Sequence, residues 1–264
     1  MKAVFKHELS SYFTNLSGYV FGAFLLLFAG IYMLAYNLQM YYTNFEYVMG
    51  GMSFVFLVIV PILTMRVLGK YAAMLVMFLV PIGIICLYPL ILSAYGNVYL
   101  PMAFSSIVGF FFLGASLIAI GTFISSVTES QAVAAGLCFV VMLVNYFISD
   151  LAGFVSTSAF ASFAAFTLVV LILMLIVRLM TKNTIAALIA GIALETVILV
   201  TYILDSTKFE GLFPEIMAQL SLFERFYGFV DGVFDVTSLV YYLSVIGVFL
   251  YLSVQSLEKG RWSE

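Results

Sequence analysis

The stretch Met65-Arg66-Val67-Leu68-Gly69-Lys70-Tyr71 places two basic residues in a chain that is otherwise almost free of charge. The apolar run before it begins near residue 47, and the run after it begins at residue 71. Each run is long enough to cross a bilayer, which takes about 20 apolar residues. Two such runs joined by a short basic turn predict a transmembrane hairpin. Because Lys and Arg concentrate on the cytoplasmic side of membrane proteins, Arg66 and Lys70 place this turn in the cytoplasm.

The composition assigns the chain to the polytopic membrane proteins. Of its 264 residues, 65% are hydrophobic and 9% are charged, and the mean hydropathy is +1.20. A soluble domain carries about 25% charged residues. The net charge of −3 argues against nucleic acid as a partner. The apolar run after the basic N-terminus has no small-residue cleavage site, so we expect an uncleaved first span.

Charge-free runs separated by loop residues predict eight spans. Residues 71–128 contain no charged residue and are too many for one crossing, so we expect a turn at Ser93-Ala94-Tyr95-Gly96-Asn97, before Pro101. Residues 37–46, rich in Tyr and Asn, predict the loop that follows the first span. The predicted spans are about residues 17–38, 47–66, 70–92, 101–125, 132–149, 160–178, 183–204 and 236–257.

The distribution of basic residues predicts the topology. With the N-terminus inside, eight of the ten basic residues fall on cytoplasmic segments, and only Lys208 and Arg225 fall outside. This pattern requires an even number of spans and puts both termini in the cytoplasm. The predicted fold is therefore an all-α bundle of about eight spans. It forms one permease-like domain over residues 1–264, in which 16–204 hold spans one to seven and 236–264 hold the last span and the cytoplasmic tail.

Residues 1–15 have the pattern of an amphipathic helix that lies in the cytoplasmic headgroup layer. Val4, Phe5 and Leu9 recur at helical spacing, and Lys2 and Lys6 take the other side. A basic N-terminus that frays is the alternative.

Residues 205–235 form an amphipathic extracytoplasmic segment with two predicted short helices. Pro214-Glu215 predicts the start of the first. Residues 222–230 predict the second, which Gly228 and Gly232 are expected to break. Asp235 is the expected N-cap of the last span. The segment is too apolar for a free loop, and it predicts an outer gate or, alternatively, passive packing on the bundle rim; the gate residues are Phe223, Glu224, Arg225 and Phe226.

Two polar side chains inside predicted spans are candidates for function, and Glu195 is the only acid well inside a span. Glu195 follows Lys182 by 13 residues, about 20 Å of helix rise. It shares one helix face with Ala187 and Gly191, so we expect it to face a neighbouring helix. Its role is either a proton or substrate contact or a hydrogen-bonded packing interaction. Asn145 is interpreted as a donor of a hydrogen bond between helices, and a ligand site is the alternative.

The sequence offers little for catalysis. Gly69-Lys70 is followed by Tyr71 and lacks the upstream glycine of a phosphate-binding loop, so nucleotide binding by that device is excluded. The single histidine, His7, has no cysteine nearby, and Cys86 and Cys138 lie in apolar runs that favour packing. No nucleophile–base–acid set can be assembled. We therefore expect a non-enzymatic chain with no catalytic residue, metal or cofactor of its own.

Several motifs in order along the chain carry a resemblance to a known family. The first is the N-terminal Lys6-His7-Glu8-Leu9-x-x-Tyr12-Phe13. The others are Pro61-x-x-Thr64-Met65-Arg66, Leu68-Gly69-Lys70-Tyr71, Phe223-Glu224-x-Phe226 with Gly228 and Gly232, Tyr241-Tyr242-Leu243-Ser244, and Ser256-Leu257-Glu258-Lys259-x-Arg261-Trp262. Together they resemble the permease subunit of ABC-2 type transporters, in the branch related to gliding-motility permeases. The resemblance covers most of the chain.

The resemblance implies a specific set of partners. Residues 1–15 would be the interfacial elbow helix, and contacts with the cytoplasmic ATPases would fall on Lys6, His7, Glu8, Arg66, Gly69 and Lys70. ATP and Mg²⁺ would be bound by the ABC ATPase subunits and not by this chain. A second permease, identical or homologous, would complete the pathway in a bacterial cytoplasmic membrane, with the lipid bilayer around it and an accessory extracytoplasmic subunit as a further partner.

The chain departs from the family pattern in two places. The family usually has six spans, and the extra pair here covers about residues 160–204. The family also has an acidic coupling helix between the Met-Arg and Gly-Lys-Tyr motifs, whereas here Val67 directly follows Arg66. We interpret this as an omission of that helix from the sequence, and a chain that lost the helix is the alternative.

The expected function is an ABC-2 permease subunit that exports an amphipathic substrate, since a nearly charge-free interior does not suit a strongly ionic one. One alternative is a proton-coupled secondary transporter that uses Glu195, although no inverted repeat is visible. The other is a non-transporting membrane anchor subunit.

Overall fold

The computed structural model of the chain describes residues 16–64, 71–128, 130–181 and 184–262. Every regular element in these ranges is helical, which confirms the all-α prediction. The helices are α1 (Leu16–Met33), α2 (Glu46–Met52), α3 (Phe56–Thr64), α4 (Tyr71–Ile85), α5 (Leu87–Ser93), α6 (Leu100–Val127), α7 (Gln131–Ala152), α8 (Ala159–Thr181), α9 (Thr184–Leu204), α10 (Leu212–Gln219), α11 (Leu222–Val230) and α12 (Val236–Trp262). A π turn (Leu34–Gln39) continues α1, and 3-10 turns form at Ser53–Val55 and Ser206–Phe209.

Within these ranges, six helical segments are long and apolar enough to cross a membrane, the pattern of a multi-pass membrane protein. They are Gly18–Gln39, Glu46–Thr64, Tyr71–Ser93, Leu100–Val127, Gln131–Ala152 and Val236–Glu258. A seventh is present if Leu188–Leu204 and Ser206–Gln219, which meet at 118°, count as one broken span. The helices α8 and α9 occupy the two runs predicted as the sixth and seventh spans.

Turn residues set the helix ends largely as predicted. The helix α5 ends at Ser93, and α6 begins at Leu100 with Pro101 in its first turn, where a missing N–H costs little. The prediction of a loop over residues 37–46 was wrong at its ends. Asn37 lies in the π turn and Glu46 begins α2, and both are buried. The reason is local, since the Asn37 amide binds backbone carbonyls further along the segment and folds it back.

The chain divides into two compact units. The first comprises the described residues of Met1–Tyr146 and Leu222–Glu264, and the second is Phe147–Ser221. The predicted permease domain over residues 1–264 is defined by function and not by compactness, and it stays a prediction.

The first unit is built around α6, against which α2, α3, α4, α11 and α12 pack. Small residues on α6 let its neighbours approach closely. A Cβ on Gly114 would lie 2.6 Å from the Phe78 ring, and one on Gly121 would lie 2.7 Å from Thr64. Aromatic rings fill the centre of this unit, where Phe56 stacks on Phe110 with 4.4 Å between ring centroids.

The second unit is an antiparallel pair of helices, α8 and α9, followed by the 3-10 turn and α10. Phe209 anchors the turn in the pair, because its ring contacts Phe163, Phe166 and Tyr202 and it is 5% exposed. Gly211 has a φ of 71°, which favours glycine, and its N–H donates to the Thr157 carbonyl at 2.8 Å. These contacts explain the sharp bend after α9.

Candidate functional site

The candidate site of the first unit is the short helix α11, which contains the predicted gate residues. Its bounds, Leu222–Val230, agree with the helix predicted from the sequence. Phe223 and Phe226 are 1% and 0% exposed, while Glu224 is exposed and Arg225 is partly buried. The aromatic half of the predicted gate therefore belongs to the core of the unit. A role in gating stays a prediction.

Aromatic contacts hold the buried face of α11. The Phe226 ring lies 6.0 Å from that of Phe110 on α6, and the Phe223 ring lies 4.9 Å from that of Tyr146 on α7, both edge to face. Phe229 covers Gly109 of α6 so closely that a Cβ on this glycine would lie 2.7 Å from the ring. Any movement of α11 along α6 must break these contacts.

Three polar contacts position α11 in this apolar setting. The N–H of Leu222 donates to Asn145 Oδ1 at 3.0 Å, and Tyr242 Oη donates to the Leu222 carbonyl at 2.8 Å. Tyr227 Oη and Ser53 Oγ are 3.2 Å apart and share a hydrogen bond. The first N–H groups of a helix have no partner within the helix, so Asn145 satisfies one that would otherwise be buried and unpaired.

Asn145 has the predicted interhelix role, but in this bond it is the acceptor and not the donor. A backbone N–H can only donate, which identifies the contacting atom as the amide oxygen. Sequence reasoning missed Ser53 and quoted Tyr242 only as part of a motif, without its contact, because a tyrosine or serine in an apolar run does not indicate where its hydroxyl points.

A cation–π contact joins α11 to the last helix. The guanidinium carbon of Arg225 lies 4.2 Å from the centroid of the Tyr241 ring on α12. A guanidinium over an aromatic face is attracted by the ring quadrupole. Arg225 lies at the unspecified position of the motif Phe223-Glu224-x-Phe226, and Tyr241 begins the motif Tyr241-Tyr242-Leu243-Ser244, so the two stretches are in contact here.

The end of α11 differs from the expectation. Gly228 was predicted to break the helix, yet it lies inside it. The helix ends with two bonds, Val233 N–H to the Gly228 carbonyl at 2.9 Å and Gly232 N–H to the Phe229 carbonyl at 3.3 Å. Gly232 has a φ of 85°, so this is the glycine-dependent Schellman ending.

Asp235 caps α12, as predicted. Its carboxylate accepts hydrogen bonds from the N–H groups of Thr237 and Ser238 at 2.8 and 3.1 Å, and from Ser238 Oγ at 2.8 Å. The bond from the Ser238 hydroxyl, followed by that from the Thr237 N–H, holds the pKa of Asp235 below its ordinary value. The rigid turn and cap fix the distance between α11 and the last helix.

Glu195 is the candidate site of the second unit. Thr167 Oγ1 on α8 donates to Glu195 Oε1 at 2.8 Å, which confirms that the glutamate faces a helix partner. Gly191, one turn away, is covered by Met174 of α8. The second oxygen, Glu195 Oε2, is buried and has no hydrogen-bond partner. An unpaired buried carboxyl oxygen can accept a proton or a ligand donor.

The predicted ATPase contacts lie outside the described residues: Lys6, His7, Glu8, Arg66, Gly69 and Lys70. The same holds for the step from Arg66 to Val67 and for the predicted elbow helix. Within the part of the chain that the structure describes, no group of three or more His, Cys, Asp or Glu side chains could hold a metal ion.

Among the motifs of the resemblance, Phe223-Glu224-x-Phe226 with Gly228 and Gly232 falls on a buried short helix and its glycine ending, and Tyr241-Tyr242-Leu243-Ser244 falls on the helix that follows. Comparison with protein-family models, curated proteins and solved structures finds no match to this chain.

Proposed function

We propose that the chain is the permease subunit of an ABC-2 type transporter that exports an amphipathic substrate across a bacterial cytoplasmic membrane. In this proposal it has about eight spans, both termini in the cytoplasm, an N-terminal elbow helix and the segment 205–235 on the outer face. Six or seven long apolar helices and the placement of the basic residues support this topology.

One observation carries the proposal. The helix that carries the motif Phe223-Glu224-x-Phe226 contacts the motif Tyr241-Tyr242 in two places. Tyr242 donates to the carbonyl of Leu222, which precedes the first motif, and Arg225, at its unspecified position, lies over the Tyr241 ring. These residues of α11 and of the helix that follows it in sequence thus form one contact set. In this proposal the contact set is the part of the outer gate that holds α11 against the last helix.

In the proposed mechanism this chain does no catalysis. Partner ATPase subunits bind ATP and Mg²⁺ and close on one another, and the cytoplasmic segments near residues 6–8 and 66–70 transmit that movement to the spans. A second permease completes the pathway. The helix α11, fixed by Asn145 and Tyr242, then has to shift for release on the outer side.

The test is purification of the chain with candidate ATPases, followed by ATP hydrolysis in lipid nanodiscs. We expect a stable complex whose hydrolysis rate depends on the permease. Asn145→Leu should change the coupling of hydrolysis to substrate release, while Tyr251→Phe, at an exposed position on α12, should not. If no ATPase responds to the chain, the proposal fails.

Glu195 favours a second candidate, a proton-coupled secondary transporter, because its Oε2 is buried without a partner. Under this alternative Glu195→Gln abolishes proton-coupled flux, whereas under the ABC proposal it has little effect on ATP-driven transport. The third candidate is a non-transporting anchor subunit. An ATPase complex that contains no permease–permease contact would favour it.

A further inference from the structure

A cavity of about 340 Å³ lies in the first unit, between the end of the first span and the end of α5. Residues of two segments, 37–43 and 92–98, form its wall. None of the wall residues is charged. No part of the proposed transport mechanism uses this cavity.

The wall contains a buried amide with an unused acceptor. Asn37 is 6% exposed, and its Nδ2 donates to the carbonyls of Tyr42 at 2.6 Å and Asn44 at 3.4 Å. If the Asn37 amide were rotated by 180°, Oδ1 would face the two carbonyl oxygens and could not bond to them. The two carbonyls therefore identify Nδ2 as the atom that faces them and Oδ1 as the atom on the other side. Oδ1 itself is buried and has no partner. A donor in the cavity can satisfy this oxygen once a side chain of the wall moves aside to expose it.

Two tyrosines of the wall present their rings to the outside. Tyr41 and Tyr95 are 87% and 88% exposed. Tyr41 also has a φ of 58°, a backbone conformation that a tyrosine rarely adopts. Strain of this kind collects at ligand sites, where it holds a side chain in place for contact. The two rings thus offer apolar, electron-rich faces at the cavity mouth.

The buried side chain of Glu46 is linked to the Asn37 amide through Asn44. Glu46 is 2% exposed, and one of its oxygens accepts a hydrogen bond from Asn44 Nδ2. The carbonyl of Asn44 in turn accepts from Asn37. Asn44 thus links Glu46, through its side chain, to the amide of Asn37, through its backbone carbonyl, and an acidic side chain near the cavity attracts a positively charged donor more than a neutral one.

We propose that this cavity binds a primary ammonium group, which donates an N–H to Asn37 Oδ1 while the rings of Tyr41 and Tyr95 contact its charge. Ammonium groups are attracted to the faces of aromatic rings. A quaternary ammonium has the charge but no N–H, and a hydroxyl has a donor but no charge. The group can come from the ethanolamine headgroup of a phospholipid or from a free primary amine. The inference does not rest on the transport proposal.

The experiment titrates the purified full chain in detergent with phosphatidylethanolamine or phosphatidylcholine of identical acyl chains, and counts bound lipid by native mass spectrometry. The two lipids differ only in the methyl groups on nitrogen. We expect ethanolamine lipid to bind about ten-fold more tightly or better, the value of a charged hydrogen bond to a buried acceptor. Competition with free ethanolamine forms a third arm.

The variants are Tyr41→Asn, which suits the positive φ, and Tyr95→Ala. Both positions are exposed, so neither change disturbs packing. Each lost ring should weaken binding of the ethanolamine lipid by about two- to five-fold. The matched control is Tyr251→Ala, which removes a 64% exposed tyrosine on α12 and should leave binding unchanged.

Two results would overturn the proposal. One is equal binding of the two lipids, and the other is an ethanolamine preference that the double variant keeps in full. Competition by free ethanolamine supports the site and identifies a soluble amine as sufficient. If the preference for ethanolamine lipid depends on the two rings but free ethanolamine does not compete, the result supports the site and identifies the lipid as the source of the ammonium group.

Discussion

Gly109→Ala is the sharpest perturbation of the contact between α6 and α11. The new Cβ would lie 2.7 Å from Cγ and 2.8 Å from Cβ of Phe229. Carbon atoms in contact are normally about 3.5–4 Å apart. A change of rotamer cannot relieve the second distance, since the Cβ of Phe229 moves only with the α11 backbone. The helix must therefore shift by about 1 Å to restore normal contact.

The expected change in the free energy of unfolding of Gly109→Ala is the sum of two opposing effects. Overpacking of a buried contact costs about 1–3 kcal/mol, and replacing a helical glycine by alanine returns up to about 1 kcal/mol. Gly228→Ala, inside α11, gains the helix propensity of alanine without any overpacking, because no atom lies within 4 Å of a Cβ at that position. The difference between the two variants isolates the packing cost, about 1–3 kcal/mol.

The assay is unfolding of the purified protein in mixed micelles, with circular dichroism as the readout of helix content. We expect Gly109→Ala to lower the free energy of unfolding and Gly228→Ala to leave it unchanged or raise it. Equal stability of the two variants would refute the close contact between Gly109 and Phe229. Destabilisation by Gly228→Ala would mean that the helix does break at this glycine.

Three further predictions use other contacts. Tyr242→Phe removes the hydrogen bond to the Leu222 carbonyl and should cost about 0.5–1.5 kcal/mol in the same assay, with exposed Tyr251→Phe as the unaffected control. Glu195→Gln should leave ATP-driven transport unchanged in nanodiscs, and a complete loss would support the proton-coupled alternative. The capping bonds depress the pKa of Asp235 in the folded state. The contribution of Asp235 to the free energy of unfolding is therefore complete above its pKa in the unfolded chain, about 3.9. It is lost as the pH falls through the lower pKa of the folded chain. Unfolding measured against pH should show this loss in the native chain but not in Asp235→Asn, which caps without titrating.

The sequence predicted the helices well because the signals that separate them are local. Charge-free runs set their length, and residues such as Ser93 and Pro101 set the turn between α5 and α6. The short helix over residues 222–230 and its following cap at Asp235 were predicted for the same reason. Each of these signals depends only on a few neighbouring residues.

The burial of α11 could not be predicted in this way. An amphipathic pattern identifies an apolar face, but in a membrane protein that face can meet either lipid or another helix. The rule that glycine breaks helices failed at Gly228, because the surrounding residues keep it helical and the ending uses Gly232 instead. Asn37 was assigned to a loop, since its two carbonyl partners become visible only once the chain is folded.

The polar contacts of α11 suggest how a signal could reach it. The helix has nine residues, too few to be stable alone, because isolated helices below about 12–15 residues are marginal. Its position is therefore set by its neighbours, and its polar partners come from three places: Asn145 on α7, Ser53 in the 3-10 turn and Tyr242 on α12. A movement of α7 relative to α12 would pull on Leu222 from both sides, since its N–H and its carbonyl are held by different helices. If α11 is a gate, Asn145→Leu and Tyr242→Phe should each change substrate release and, in the double variant, act less than additively. Additive effects on stability together with unchanged release would mean that α11 serves only as packing.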